Sequence, residues 1–189
     1  MRLQRESLRL FREVSDQWGM TRALNGLGKV LRDRGDDAQA ARIFEEGLAI
    51  SQTLGFKREI ATALHNLAHL ALHRGEVSRA IALFPESLAL HREVGDRDGL
   101  VNCLAGVAEL ADQRGQLTQA ARLFGAMEHL LASIHATLGP EDRRHSEDTI
   151  VAARTQLDET TYRGAWAAGQ ALSIDEAIEE ALRMVSAEQ

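Results

Sequence analysis

The chain is poor in cysteine, in net positive charge and in long apolar runs, and each shortage excludes a class of protein. One cysteine among 189 residues excludes an internal disulfide framework and a cysteine-based metal cluster, and it suits a reducing compartment. No apolar run approaches the roughly 18 residues that a membrane span needs. The charged N-terminal segment MRLQRESLRL is unlike a signal peptide. These absences predict a soluble, cytoplasmic protein.

The charge balance argues against nucleic acid as a direct ligand. With 28 acidic and 22 basic residues the formal net charge is −6, so the chain lacks the global positive field that nucleic-acid-binding proteins use. A local basic patch stays open as an alternative. Only Lys29 and Lys57 are lysines, a bias that we attribute to genome composition.

A 40-residue repeat is the strongest pattern in the chain, and internal repeats are best recognised before other features. SLRLFREVSDQWGM at residues 7–20 returns as SLALHREVGDRDGL at residues 87–100, with 8 of 14 positions identical. Midway between them, GLAISQTLGFKREI at residues 47–60 is a weaker copy. Apolar residues at helical spacing predict two helices in each unit. The predicted units are residues 21–60, 61–100 and 101–139, after a partial unit at 1–20.

Small and large residues recur at fixed places in these units. Gly35, Gly75 and Gly115 each follow an arginine at the end of the first helix. Glycine there supplies a left-handed cap, and arginine favours the negative end of the helix dipole. An alanine early in each second helix allows close packing, and a phenylalanine one turn later fills the contact. These positions are Ala40, Ala80, Ala120, Phe44, Phe84 and Phe124.

This spacing over roughly residues 5–138 resembles that of tetratricopeptide repeats of the longer, 40-residue kind. The usual tryptophan and tyrosine positions hold leucine or alanine, and Gly28 is replaced by Ala68 and Ala108 in the later units. The resemblance implies an all-α, right-handed solenoid of antiparallel helix pairs, whose first helices line a concave groove. It also implies a non-catalytic scaffold that binds a protein or peptide.

A different segment follows the array. Gly139-Pro140 ends the repeats, because proline disfavours helical geometry in the residue before it. We predict capping helices over residues 140–189, the last with a capping box of Ser173 and Glu176. They are expected at 141–157, 158–170 and 173–186. RGAWAAGQALSIDEAIEEAL resembles the tail of large bacterial signal-transduction ATPases and of LuxR-type or AfsR-type transcription regulators, which implies a bacterial regulatory protein.

The N-terminal unit lacks its first helix, which leaves two interpretations. The chain is either cut from a longer array or begins with a degenerate capping helix. Leu8, Leu10, Phe11 and Val14 are expected at the surface there. We favour a fragment of a larger protein, and such an end also offers a route to a homodimer.

A polar stripe remains on the first helices, opposite their leucines, when residues are placed at about 100° intervals. We predict that this stripe binds the partner, and a merely solvated helix face is the alternative. Histidines that gain charge near pH 6 would raise the affinity for an acidic ligand as the pH falls. The predicted partner-binding residues are Asn25, Lys29, Asp33, His65, His69, His73, Glu109 and Gln113.

Cofactors and catalysis are not expected. His65, His69 and His73 could chelate a metal in adjacent pairs, but the outer two lie about 12 Å apart along a helix. A closed site needs Asp33, Glu109 or another chain as a further ligand, so we predict no physiological metal. The sequence has no HExxH motif, no phosphate loop around GLGKV and no nucleophile motif. The alternative function is a small-ligand sensor region of a LuxR-type or AfsR-type regulator.

Overall fold

A computed structural model describes residues 2–186, apart from the side chains of residues 140 and 141. This part of the chain is all-α, as predicted. None of its helices is both long and apolar enough to cross a membrane. The chain divides into two compact units, Met1–Asp96 and Arg97–Gln189. The helices are α1 (Arg2–Glu13), α2 (Gln17–Arg32), α3 (Asp37–Leu54), α4 (Lys57–His73), α5 (Val77–Glu93), α6 (Arg97–Gln113), α7 (Leu117–Ser133), α8 (Pro140–Gln156), α9 (Glu159–Gln170) and α10 (Ile174–Ser186).

The first unit is built from helix pairs. Helix α2 packs on α3 and α4 packs on α5, while α3 joins the two pairs by contacting α4. Leu24, Ala40 and Phe44 are fully buried between the paired helices, as the repeat pattern predicts. Gly28 makes room for Phe44 against α2, because a Cβ at that glycine would come within 2.3 Å of the phenyl ring.

Among the described residues, the seven turns that follow α1 to α7 share one backbone geometry. Five glycines and two other residues adopt a left-handed φ between 52° and 75°, and they recur at an even interval of half a repeat. In all seven turns the next residue donates its backbone N–H to the carbonyl five residues earlier, at 2.8–3.1 Å. This bond closes a Schellman cap and satisfies a carbonyl at the end of the helix. The left-handed residues are Ser15, Gly35, Gly55, Gly75, Gly95, Gly115 and His135.

The N-terminal helix differs from the prediction in two respects. Leu8 was expected at the surface but is buried in the core of the first unit, whereas Leu10 and Val14 are exposed as expected. The partial unit was predicted to extend over residues 1–20, but α2 already begins at Gln17. The side chain of Asp16 caps it by accepting the backbone N–H of Gly19 at 3.0 Å, so the turn ends earlier than the sequence indicated.

The second unit combines the pair α6 and α7 with the three C-terminal helices. These three begin and end within one or two residues of the predicted bounds. The predicted capping box is confirmed: Ser173 donates its backbone N–H to the Glu176 carboxylate at 2.8 Å, and Glu176 donates its own to Ser173 Oγ at 3.3 Å. Helix α9 packs closely on α7, while α8 and α10 each contact both α6 and α7.

Candidate functional site

Helix α2 carries a stripe of large polar and aromatic side chains. Trp18, Arg22, Asn25, Lys29 and Asp33 fall within about 80° of the helix circumference at 100° per residue. Trp18, Arg22 and Asp33 are exposed and Lys29 is half-buried. Helix α4 lies against α2 and repeats the stripe one period later. We call the α2–α4 face the set of side chains that both helices leave accessible: Trp18, Arg22, Lys29, Asp33, Arg58, Thr62 and His73.

Trp18 is the largest side chain of this face and is held from two sides. Its indole Nε1 donates to the Glu59 carboxylate on α4 at 2.8 Å, and the Arg22 guanidinium lies 4.7 Å from the ring centroid. The side chain of Trp18 is nevertheless 46% exposed. The hydrogen bond and the cation–π contact thus hold an accessible indole ring in one orientation before any partner arrives.

The prediction that the whole stripe is exposed is wrong for Asn25 and His65, which are both only 8% exposed. These two residues occupy equivalent places in their repeats, on the side of the stripe that is nearest the second helix. The amide oxygen of Asn25 lies 4.0 Å from where a Cβ on Gly47 would be, and the ring of His65 is 6.3 Å from that of Phe84. The second helix of each pair therefore covers this edge of the stripe.

The histidine stripe on α4 is graded from buried to exposed. His69 is only 2% exposed, so its predicted exposure is also wrong, while His73 is exposed. The rings of His69 and His73 are 4.6 Å apart. Within residues 2–96 no third histidine, cysteine or carboxylate joins this pair closely enough to form a three-ligand group. Asp33, which the sequence offered as a further metal ligand, does not complete a site in this unit.

The predicted site residues of the second unit lie on α6. Glu109 is 7% exposed, so the structure contradicts its expected exposure, whereas Gln113 is exposed. Ala105, one turn before Glu109, is buried. Burial, together with the negative charge of Glu109, raises the pKa of Asp112. The accessible polar surface of α6 is therefore smaller than the helical pattern predicted.

The accessible charges of the α2–α4 face are mostly positive. Arg22, Lys29 and Arg58 contribute three cationic groups, of which Arg58 lies 3.7 Å from the Asp96 carboxylate. The one exposed carboxylate on this stripe of α2 belongs to Asp33. It already accepts a hydrogen bond from the buried guanidinium of Arg32 at 3.1 Å. The Glu59 carboxylate is buried and holds Trp18. The accessible charges of this face therefore carry a positive excess, although the chain as a whole is acidic.

Trp18 and Arg22 are the functional candidates that sequence reasoning missed. Their signal was present: Asp16 is a good N-cap residue, and helices α4 and α6 both begin two residues after a left-handed glycine. The same interval after Ser15 would have placed Trp18 in the first turn of α2 rather than in the partial unit before the first repeat.

Comparison with known proteins gives a family match for the repeats. Two family models, both described as tetratricopeptide repeat, match residues 59–126 and residues 21–54. No curated protein and no solved structure matches the chain. The matched residues contain α3, α5 and α6 with most of α2, α4 and α7, which are the helices that form the pairs.

Proposed function

Because this chain is a tetratricopeptide repeat protein over residues 21–54 and 59–126, we propose that it is a non-catalytic module that binds an acidic peptide segment along the α2–α4 face. Tetratricopeptide repeats generally mediate protein–protein interactions, and stacked repeats present extended binding surfaces. In this proposal the module recruits partners for a regulatory protein, in line with the likeness of its C-terminal segment to regulator tails.

The observation that carries the proposal is the accessible, oriented side chain of Trp18. Tryptophan and arginine are enriched among the residues that dominate binding energy at protein interfaces. A ring already fixed by Glu59 and Arg22 loses little conformational freedom when a partner binds, so more of the contact energy appears as affinity. The indole offers one face to an apolar side chain of the partner.

The positive charge of the α2–α4 face indicates which charged residues the partner segment carries. The cationic groups of Arg22, Lys29 and Arg58 favour carboxylates. A segment with Asp or Glu on one side of an apolar residue matches the order of side chains along α2, where Arg22 and Lys29 both follow Trp18. Such long-range attraction accelerates association more than it strengthens the final complex. We therefore expect the association rate of the peptide to fall as the salt concentration rises.

Selection of ligands from a random library tests the proposal. A random-peptide display library is panned on the wild-type protein, and the dissociation constants of recovered peptides are measured. We expect peptides rich in Asp and Glu with one apolar residue. Lys29→Glu should weaken them about tenfold, and Trp18→Ala should weaken them about thirtyfold, the loss typical of an interface hot spot.

Arg42→Glu is the matched control, because it makes the same kind of charge change as Lys29→Glu at an exposed position of a second helix, α3. It should leave the affinity unchanged, and circular dichroism should show intact helices in all three variants. Recovered peptides that bind Lys29→Glu as tightly as the wild type would contradict the proposal. His65 and His69 are not suitable test positions, since both are buried and their truncation would disturb packing.

A further inference from the structure

A second feature, independent of the α2–α4 face, is a row of apolar side chains that α1 leaves exposed. Of the six large apolar side chains that the described residues expose, three lie here: Leu3 is 83%, Leu10 48% and Val14 72% exposed. Val14 continues the helix, because its backbone N–H donates to the Leu10 carbonyl at 3.1 Å. At 100° per residue the three side chains fall within about 40° of the circumference. We call these three residues the α1 stripe.

The helix that carries this stripe is held in place by the first unit. Leu8 is buried in the core of that unit. The ring of Phe11 packs against Gly19, where an added Cβ would lie 2.3 Å from it. The Arg12 guanidinium binds the Glu46 carboxylate of α3 at 2.7 Å. The α1 stripe therefore lies on a fixed helix, beside the face that packs into the first unit.

A row of charges borders the α1 stripe on the side away from the packed face. At 100° per residue Arg2, Glu6, Arg9 and Glu13 all fall about 60–120° from Leu3 in the same direction, and all four are exposed. Their signs alternate along the helix. Glu6 and Glu13 both bind Arg9 within the chain, yet their side chains stay 52% and 56% exposed. Both carboxylates can therefore still interact with cations of another molecule.

The order of these charges fits a second copy of the same helix that runs antiparallel. A two-fold axis puts the same flank of both helices side by side when they are antiparallel, and opposite flanks when they are parallel. The other flank of the α1 stripe holds the uncharged Gln4 and Ser7, so only the antiparallel arrangement brings charge next to charge. With the axis at mid-helix, Arg2 faces Glu13 of the second copy, and each Glu6 faces an Arg9.

The same placement of the axis also brings the two apolar stripes together. Leu10 and Val14 are about 6 Å apart along the helix at 1.5 Å per residue, and Leu3 of the second copy lies at the height midway between them. A side chain that enters such a gap packs as a knob into a hole. A second copy meets both the apolar and the charge requirement through its own sequence, which favours it over an unrelated helix.

We infer that two copies of this chain associate through α1, antiparallel about a two-fold axis, with the α1 stripes buried between them. Each α1 has 12 residues and is about 18 Å long. Two such helices bury less surface than the roughly 1,200 Å² at which standard interfaces begin. The dimer is therefore a weak, reversible one, with a dissociation constant in the micromolar range.

Sedimentation velocity of the whole chain tests the dimer. Over about 5–500 µM, a range that brackets micromolar constants, the average mass should rise from that of one chain toward that of two. Leu10→Glu puts a charge into the apolar seam and should weaken association at least about tenfold. Leu54→Glu is the matched control, the same substitution at an exposed leucine that ends α3, and should change nothing. A chain that stays monomeric throughout, or equal association of the two variants, would overturn the inference.

Mixing two charge variants tests the orientation. Arg2→Glu and Glu13→Arg each put like charges opposite one another at both symmetry-related contacts, so each variant alone should self-associate about threefold or more weakly at low salt. In a mixed dimer both contacts again join opposite charges, and the equimolar mixture should recover the parent's affinity. Far-UV circular dichroism checks that every variant keeps its helices. A mixture that associates no better than either variant alone would refute the antiparallel pairing, and with it the choice of a second copy as the partner.

Discussion

The contact of α7 with α9 yields the sharpest prediction, because two glycines bring helix backbones together there. At Gly169 an added Cβ would lie 1.9 Å from the carbonyl oxygen of Arg122 and 3.0 Å from the backbone nitrogen of Ala126. Both are backbone atoms and cannot rotate away, so Gly169→Ala forces the helices apart. Overpacking of this kind costs about 1–3 kcal/mol.

Alanine also has a higher helix propensity than glycine, and this gain works against the clash. It amounts to at most about 1 kcal/mol in a helix interior, and it is smaller at Gly169, which is the penultimate residue of α9. The net expectation for Gly169→Ala is a loss of about 1–2 kcal/mol, which is the overpacking cost less a partial propensity gain.

Gly164→Ala is the control on the same helix. Nothing lies within 4 Å of a Cβ at Gly164, so only the propensity gain remains, and this variant should be more stable than the parent by up to about 1 kcal/mol. The two substitutions are chemically identical and differ only in the neighbouring backbone. Their free energies of unfolding should therefore differ by about 1–3 kcal/mol.

The assay is urea unfolding followed by Trp166 emission in the Trp18→Phe background, with far-UV circular dichroism as a second probe. Each kcal/mol also shifts the melting temperature by about 4–8 °C for a unit of this size. Gly169→Ala at least as stable as Gly164→Ala would refute the reasoning, because α7 and α9 could then not be in backbone contact at Gly169.

Three further substitutions test the turns, a helix and a buried histidine. Pro85 lies inside α5, where proline costs about 3 kcal/mol in a regular helix, so Pro85→Glu should raise the melting temperature; no change would mean that the helix packing has adapted to the proline. Ser15 has a left-handed φ of 56°, a conformation that glycine adopts at lower cost. Ser15→Gly should therefore raise the free energy of unfolding by about 1 kcal/mol, and a lower denaturant midpoint would contradict this. Burial lowers the pKa of His91 below its ordinary value of 6.5, and the nearby Asp96 carboxylate offsets only part of this effect. As the pH falls through about 6.5, the unfolded chain therefore takes up a proton at His91 that the folded chain does not. The free energy of unfolding should fall over that pH range, and His91→Gln should make it depend less on pH. An unchanged pH dependence in His91→Gln would contradict this prediction.

The repeat period was enough to predict most of the fold. It located the three helix pairs, because a regular pattern of apolar residues specifies where each helix begins, which side packs and where glycine ends it. The buried positions of Ala40, Ala80, Phe84 and Phe124 follow from that pattern. The C-terminal helices were also predicted, since Gly139-Pro140 and the Ser173 capping box are local signals.

The repeat period could not predict which residues of other helices contact each side chain. Helical angles place Asn25, His65 and His69 on a polar stripe, but only the packed structure shows that other helices cover part of it. The same limit applies to α9, whose close contact with α7 depends on two glycines that no repeat relates. Trp18 was missed because the first turn of the series ends with Ser15 instead of glycine.

The even spacing of the left-handed turns has a consequence for how such a chain can change length. Because each helix with its turn occupies half of one repeat, a duplicated or deleted stretch of one whole repeat rejoins the chain in phase wherever its ends fall, inside a helix or in a turn. A change of half a repeat keeps the turns in phase but puts a second helix where a first helix belongs. Recombination between repeats, or the engineering of longer arrays, therefore needs no particular breakpoint, only two breakpoints at the same position of the period.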